Sequence, residues 1–235
     1  MRRLSRAKQA EVLAARQARL KGKQRFKLMA IAAVLAIGAV AGLIVAGNAL
    51  RKDDTVRYAS QAQGRLLGDP NAPVLIEAWD DYQCPICKAA NASVLEQIDK
   101  NFIATGKARL EYRNFAFLGK ESTTAAEAAE CAAEQNKFWA YHDALFDAQR
   151  SENSGAFTND KLKALAMTAS LDRVSFNTCF DSGRYGDVVQ KEKAAGVNIG
   201  VNATPTFFVN GQRIADWRNY DEFAAAIEKA AGVAR

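Results

Sequence analysis

Two cysteines three positions apart, Cys84 and Cys87, enclose Pro85-Ile86 and carry the strongest chemical signal in this chain of 235 residues. A pair at this spacing has three readings. Zinc needs four ligands. The chain has no second close cysteine pair and a single histidine, His142, so a zinc site would have to gather Cys131 and Cys179 as well. A purely structural bridge across so short a loop restrains little of the unfolded chain. Redox chemistry, by contrast, gives each residue of the motif a task. At a helix N-terminus, unpaired amide protons and the macrodipole favour a thiolate on Cys84. Pro85 suits the first helical turn, which has no use for its N–H. Cys87 lies one turn further on and faces the same way, so it can resolve a mixed disulfide on Cys84, the more exposed and nucleophilic member of the pair. Four cysteines allow three pairings, and spacing favours Cys84 with Cys87 and Cys131 with Cys179. No metal or cofactor is expected.

The motif needs a strand to deliver it and a helix to receive it. Val74-Leu75-Ile76-Glu77-Ala78-Trp79 is a short apolar run suited to a buried strand, and the turn formers from Gly68 to Pro73 introduce it. After Pro85, residues Ile86, Ala89, Ala90, Val94, Leu95 and Ile98 recur at helical spacing. A second strand is predicted from Ala108 to Phe117. Helices are predicted within Thr123 to Gln149, Asn159 to Thr168, Asp172 to Asp181 and Tyr185 to Ala195. Thr206-Phe207-Phe208-Val209 reads as a strand, Asn210-Gly211 as a hairpin turn and Gln212-Arg213-Ile214 as its partner. Asp221 to Ala231 closes the chain as a helix. Strand, helix, strand, helices, hairpin, helix is the order of a thioredoxin-like α/β sheet over residues 68–235, with a helical subdomain inserted at about 119–196.

The net charge of +6 resembles that of a nucleic-acid binder, but it is unevenly spread. Residues 1–27 hold ten Lys or Arg against Glu11 alone, and residues 28–50 hold no charge, while the remainder, with 22 basic and 25 acidic residues, carries −3. The basic pI therefore belongs to a tail, and nucleic acid is not the expected partner. The twenty residues from Leu28 to Gly47 match the length of a helix crossing a bilayer core of roughly 30 Å. A single transmembrane signal-anchor helix is predicted over 28–50, with the basic tail in the cytoplasm and the rest outside. Residues 51–67, polar and mixed in charge, read as a tether. An oxidising compartment fits the cysteine content, and no segment reads as a dedicated dimerisation element, so a monomer is expected.

Four blocks together carry a resemblance: Gly68-Asp-Pro-Asn-Ala-Pro-Val74, Asp81-Tyr-Gln-Cys-Pro-Ile-Cys87, Lys137-Phe-Trp-Ala-Tyr-His-Asp-Ala-Leu-Phe146 and Thr204-Pro-Thr-Phe-Phe-Val-Asn-Gly211. Over about residues 66–232 the chain resembles the DsbA family of extracytoplasmic disulfide oxidoreductases, in its membrane-anchored form. The resemblance implies a protein thiol–disulfide oxidoreductase acting on newly exported, cysteine-containing proteins and reoxidised by a membrane quinone-linked thiol oxidase. It also implies that Pro205 follows a cis bond beside the redox pair and that the Thr204 backbone faces an extended substrate. The competing expectations are a reductase or isomerase kept reduced by a membrane partner, and a chaperone-like binder without turnover.

The sequence departs from the family at two places. Pro-Ile stands between the cysteines where the strongest oxidants have Pro-His, which removes one source of thiolate stabilisation. Many relatives carry an acid in the strand six residues before the first cysteine, where this chain has Ala78; Glu77 beside it should point to the other sheet face, leaving Glu77, Asp80 or water to take the proton of Cys87. His142 reads as a helix-packing residue and Trp79 as core. Of Phe207 and Phe208, one is expected in the core and the other along the substrate groove.

Overall fold

The computed structural model describes residues 62–233. The basic tail, the apolar span at 28–50 and the expected tether up to residue 61 lie outside the described residues. Among the described residues no helix is long and apolar enough to cross a membrane.

Six strands, β1 (Ala62–Gln63), β2 (Leu66–Leu67), β3 (Val74–Asp80), β4 (Ala108–Asn114), β5 (Thr206–Val209) and β6 (Gln212–Arg213), form one sheet in the order β1-β2-β4-β3-β5-β6. β3 pairs in parallel with β4 and antiparallel with β5. Its central place follows from having apolar side chains on both faces. Val74, Ile76 and Ala78 enter the main core, while Trp79 turns to a second cluster with Phe115, Val201 and Phe208.

After the redox motif the helix expected to run to Ile98 is divided. It forms α1 (Pro85–Asn91) and α2 (Val94–Ile98), followed by a π turn over Asp99–Ile103. Side chains cause the break by taking carbonyls that a continuous helix would use. Asn91 Nδ2 donates to the Cys87 carbonyl at 2.9 Å, and Ser93 Oγ to the Ala89 carbonyl at 2.6 Å.

Between β4 and β5 lie α3 (Lys120–Ala133), α4 (Phe138–Ala148), α5 (Asn159–Thr168), α6 (Arg173–Asp181) and α7 (Gly186–Asn198), so the inserted block reaches two residues beyond its expected end. α3 buries Ala125, Ala128, Ala129 and Ala132, whose small side chains allow close helix packing. α7 comes down on the second sheet face at Gly196. A Cβ there would stand 2.8 Å from the Trp79 indole, so only glycine permits the approach. The last helix, α8 (Tyr220–Val233), sets Phe223 edge-on to Phe207 at 5.2 Å between ring centroids.

Two boundaries differ from the sequence expectation. Residues 62–67, read as the end of the tether, form the β1–β2 hairpin on the sheet edge. Leu66 and Leu67 of β2 pair with Glu111 and Leu110 of β4, and Leu67 is buried. Arg65 in the hairpin turn meets Glu130 of α3 at 3.0 Å and Glu192 of α7 at 2.7 Å. Partners distant in sequence, not local pattern, thus hold this polar segment. β4 ends at Asn114 and not at Phe117, because the Asp81 carboxylate takes the amides of Phe117 and Leu118 at 2.8 and 3.1 Å.

Cys131 of α3 and Cys179 of α6 form a disulfide with a Cα–Cα distance of 5.8 Å across 48 positions of sequence. Cross-linking a loop of that length removes unfolded-state entropy worth about 4 kcal/mol in the chain-entropy account. Replacing both cysteines by alanine should therefore lower the stability measured by denaturant titration by about that amount, while thiol–disulfide exchange activity persists.

Candidate active site

Cys84 caps the N-terminus of α1 with extended backbone (φ −76°, ψ 115°). The cap arises because Pro85 starts the helix without an N–H and because Asp81 ties the preceding turn. The Asp81 carboxylate accepts the Gln83 amide at 2.8 Å, and its carbonyl accepts the Cys84 amide at 2.9 Å. The Cys84 sulfur then receives the Cys87 amide at 3.4 Å and lies 3.5 Å from the Thr204 carbonyl. Both cysteines are thiols. Cys84 keeps 6% exposure and Cys87 none, so Cys84 is the sulfur that solvent and partners reach.

The two thiols have opposite acidities. Cys84 is held down at about 6, first by the hydrogen bond from the Cys87 thiol, with Thr204 and the amides of Cys87 and Ile86 adding to it against the opposing effect of burial. Burial pushes Cys87 well above the ordinary thiol range, reinforced by Cys84 and by the charge of Asp80.

Of the two carboxylates left open as proton acceptors, only Asp80 lies against Cys87. It is buried, accepts Asn91 Nδ2 at 3.1 Å and interacts with the Cys87 thiol. Burial raises its pKa to about 7, with further increments from Cys84 and Asp81 and opposing hydrogen bonds from Asn91 and Cys87. Glu77 points to the other sheet face and pairs with Arg113 at 3.1 Å, as the alternation of a strand requires.

The Thr204–Pro205 bond is cis, and it brings the Thr204 carbonyl to the redox sulfur across 120 positions of sequence. Ile86, between the cysteines, and Phe117, whose amide is held by Asp81, are large apolar side chains left exposed here. Cys131 and Cys179, joined to each other, are not available to a metal at Cys84 and Cys87. His142 is fully buried. Its Nδ1 lies 3.1 Å from Asp143, and its ring is enclosed by Tyr82, Tyr112, Trp139 and Phe146, so it packs the block onto the sheet. The expectation that one of Phe207 and Phe208 lines a groove does not hold. Phe207 is in the main core and Phe208 in the Trp79 cluster, because α7 covers that second face. Sequence reading also missed Asp81 as the anchor of the motif. Its one local sign was an acid two residues before a backbone amide, the spacing of an Asx turn.

The comparisons with known proteins agree with this geometry. The thioredoxin family model matches residues 60–229. The disulfide bond formation protein D of Bacillus subtilis (strain 168) is 31% identical over 181 residues, covering 75% of this chain and 82% of that protein. Among solved structures, oxidised BdbD from Bacillus subtilis superimposes with a TM-score of 0.67 at 30% identity, covering 72% of this chain and 94% of that one. Wolbachia pipientis α-DsbA1 gives 0.64 at 25% identity, covering 72% and 92%. A thioredoxin-like sheet with a helical block, bearing a thiol pair at a helix N-terminus, defines the class of thiol–disulfide oxidoreductases. Within it, the chain belongs to the DsbA family.

The acidity of Cys84 is directly measurable. Thiolate absorbance of the reduced protein should titrate with a midpoint near pH 6, and Cys84→Ser should remove that titration. Since the folded value lies below the ordinary 9.0, the contribution to stability of the reduced form is full above that pH and is lost as the pH falls through about 6. Unfolding of reduced and oxidised protein across this window should show the reduced form gaining as the pH rises.

Proposed function

We propose that this oxidoreductase works mainly as an oxidase, passing a Cys84–Cys87 disulfide to exported, cysteine-containing proteins. The observation that carries the reading is the pair of opposed acidities: a stabilised thiolate on Cys84 beside a buried, reluctant Cys87 and a buried acid. A stable thiolate favours the reduced enzyme, which makes the disulfide the better oxidant. The name of the Bacillus subtilis relative, a disulfide bond formation protein, supports the same direction.

In this reading a substrate thiolate attacks the Cys84 sulfur of the oxidised enzyme, forming a mixed disulfide and breaking the Cys84–Cys87 bond. Cys87 leaves as a thiolate in a site that disfavours its charge, and the Asp80 carboxyl supplies the proton. Asp80 is suited to carry one, because burial raises its pKa to about 7. A second substrate thiolate then attacks the substrate sulfur of the mixed disulfide. Cys84 leaves as the thiolate held by α1. The substrate has lost two electrons and two protons, and the electrons rest on Cys84 and Cys87. A membrane quinone-linked thiol oxidase removes them. The Thr204 backbone, next to cis Pro205, pairs with the extended substrate, and the Cys131–Cys179 bridge serves the fold.

The membrane arrangement belongs to the same proposal. Residues 28–50 anchor the protein as a single transmembrane helix, residues 1–27 stay in the cytoplasm and the catalytic domain stands outside. Charge-free length behind a basic flank supports this. A reporter active only in the cytoplasm, fused after Arg235, should stay silent, and a strong signal would refute the orientation.

The equilibrium potential against glutathione tests the direction of the chemistry. It should lie above the roughly −270 mV of thioredoxin and below the roughly −120 mV of DsbA, since Pro-Ile lacks a charge partner. A value at or below thioredoxin's would make the protein a reductase. Cys87→Ser should trap substrates on Cys84, and trapping on Cys131 or Cys179 would contradict the site. Asp80→Asn should slow the Cys87 step. Because the folded pKa of Asp80 is raised, its charge destabilises the fold above about pH 7. The Asn variant should therefore be more stable there by on the order of 2–4 kcal/mol, with the gain vanishing in acid.

A further inference from the structure

The segment entering the redox motif is gripped by the helical block. Gln149, at the C-terminal cap of α4, is 8% exposed. Its Nε2 donates to the carbonyl of Tyr82 at 2.7 Å and to the carbonyl of Cys84 at 3.0 Å. A carboxamide has two N–H donors, and both go to main-chain oxygens that bracket Gln83. The residue between them is held by the same block. Gln83 Nε2 donates to Ser122 Oγ at 2.9 Å, and Gln83 Oε1 accepts the Asn153 amide at 2.5 Å.

The reactivity of Cys84 depends on how this stretch of chain is turned. Pro85 has no N–H, so the first amides able to face the Cys84 sulfur are those of Ile86 and Cys87, the Cys87 nitrogen standing 3.4 Å from it. Among the described residues the Cys84 carbonyl has one other partner, the Lys88 amide at 3.3 Å, which is too long to fix its direction firmly. A rotation that swings this carbonyl outward also swings the sulfur off the α1 amides.

We propose that Gln149 is a positioning residue of the redox site: by holding the carbonyls of Tyr82 and Cys84 it keeps the Cys84 sulfur over the α1 N-terminus. The helical block thereby becomes part of the apparatus that sets thiol reactivity. This rests on reading Cys84 as the nucleophile.

Gln149→Met tests it, since methionine keeps length and bulk and has no donor. The thiolate midpoint of Cys84 should rise by about one unit. Alkylation of Cys84 by iodoacetamide at pH 5, below both midpoints, should slow roughly three- to ten-fold, and the potential should move in the reducing direction. A variant that unfolds more easily yet keeps the wild-type midpoint and potential overturns the proposal, because Gln149 would then only support the fold. If Gln149→Met does not fold, NMR of the wild-type protein decides. The side-chain amide protons of Gln149 should shift between reduced and oxidised forms, and resonances indifferent to redox state overturn the proposal. Cys84→Ser in the same titration keeps the two claims apart. A titration that survives this substitution refutes Cys84 as the nucleophile, whereas one that vanishes leaves the Gln149 result to stand on its own.

Discussion

A charged sulfur in a nearly dry site needs donors, and the rest of this structure is organised around supplying them to Cys84. With 6% exposure the thiolate has little water to solvate it. Its compensation comes from the first turn of α1, from the Cys87 thiol and from the Thr204 side. These groups lie on two parts of the chain far apart in sequence. The sheet exists, in functional terms, to bring them together: β3 delivers the motif, and β5, its antiparallel neighbour, delivers the Thr204–Pro205 turn.

The second sulfur is governed by the opposite condition. Cys87 is fully buried, and no donor offsets its desolvation sufficiently to keep it ionised. Whatever charge it acquires in exchange must be passed on at once, and Asp80 is the ionisable group set against it. The acid stands four residues before Cys84, although the family pattern has it six before. Position 78 faces the same core, yet a carboxylate there is not required once Asp80 is buried beside Asn91.

The helical block contributes more than bulk. Its disulfide ties α3 to α6, its Glu130 and Glu192 hold Arg65 and the edge hairpin, and its buried His142 and Tyr141 pack it to the sheet and to itself. Asp81 and Gln83 carry the hydrogen bonds that join this block and the β4 exit to the redox turn. A rigid turn matters because the amide contact to the sulfur loses strength steeply with misalignment.

The sequence alone was enough for whatever depends on local pattern. The Cys84-Pro85-Ile86-Cys87 spacing, the apolar run of β3, the helix over Asn159–Thr168 and the Thr206–Val209 strand with its Asn-Gly turn could all be read because periodicity and turn chemistry act over a few residues. The tertiary structure decided what depends on contacts between distant segments. Strand alternation already turned Glu77 to the other sheet face, but only the assembled fold paired it with Arg113 and buried Asp80 against Cys87. The 62–67 hairpin was hidden in a polar stretch because its partners lie on β4, α3 and α7. Phe208 lost its place at a groove because Gly196 lets α7 cover that face. Burial is a property of the assembled chain, and burial is what raises the pKa of both Asp80 and Cys87.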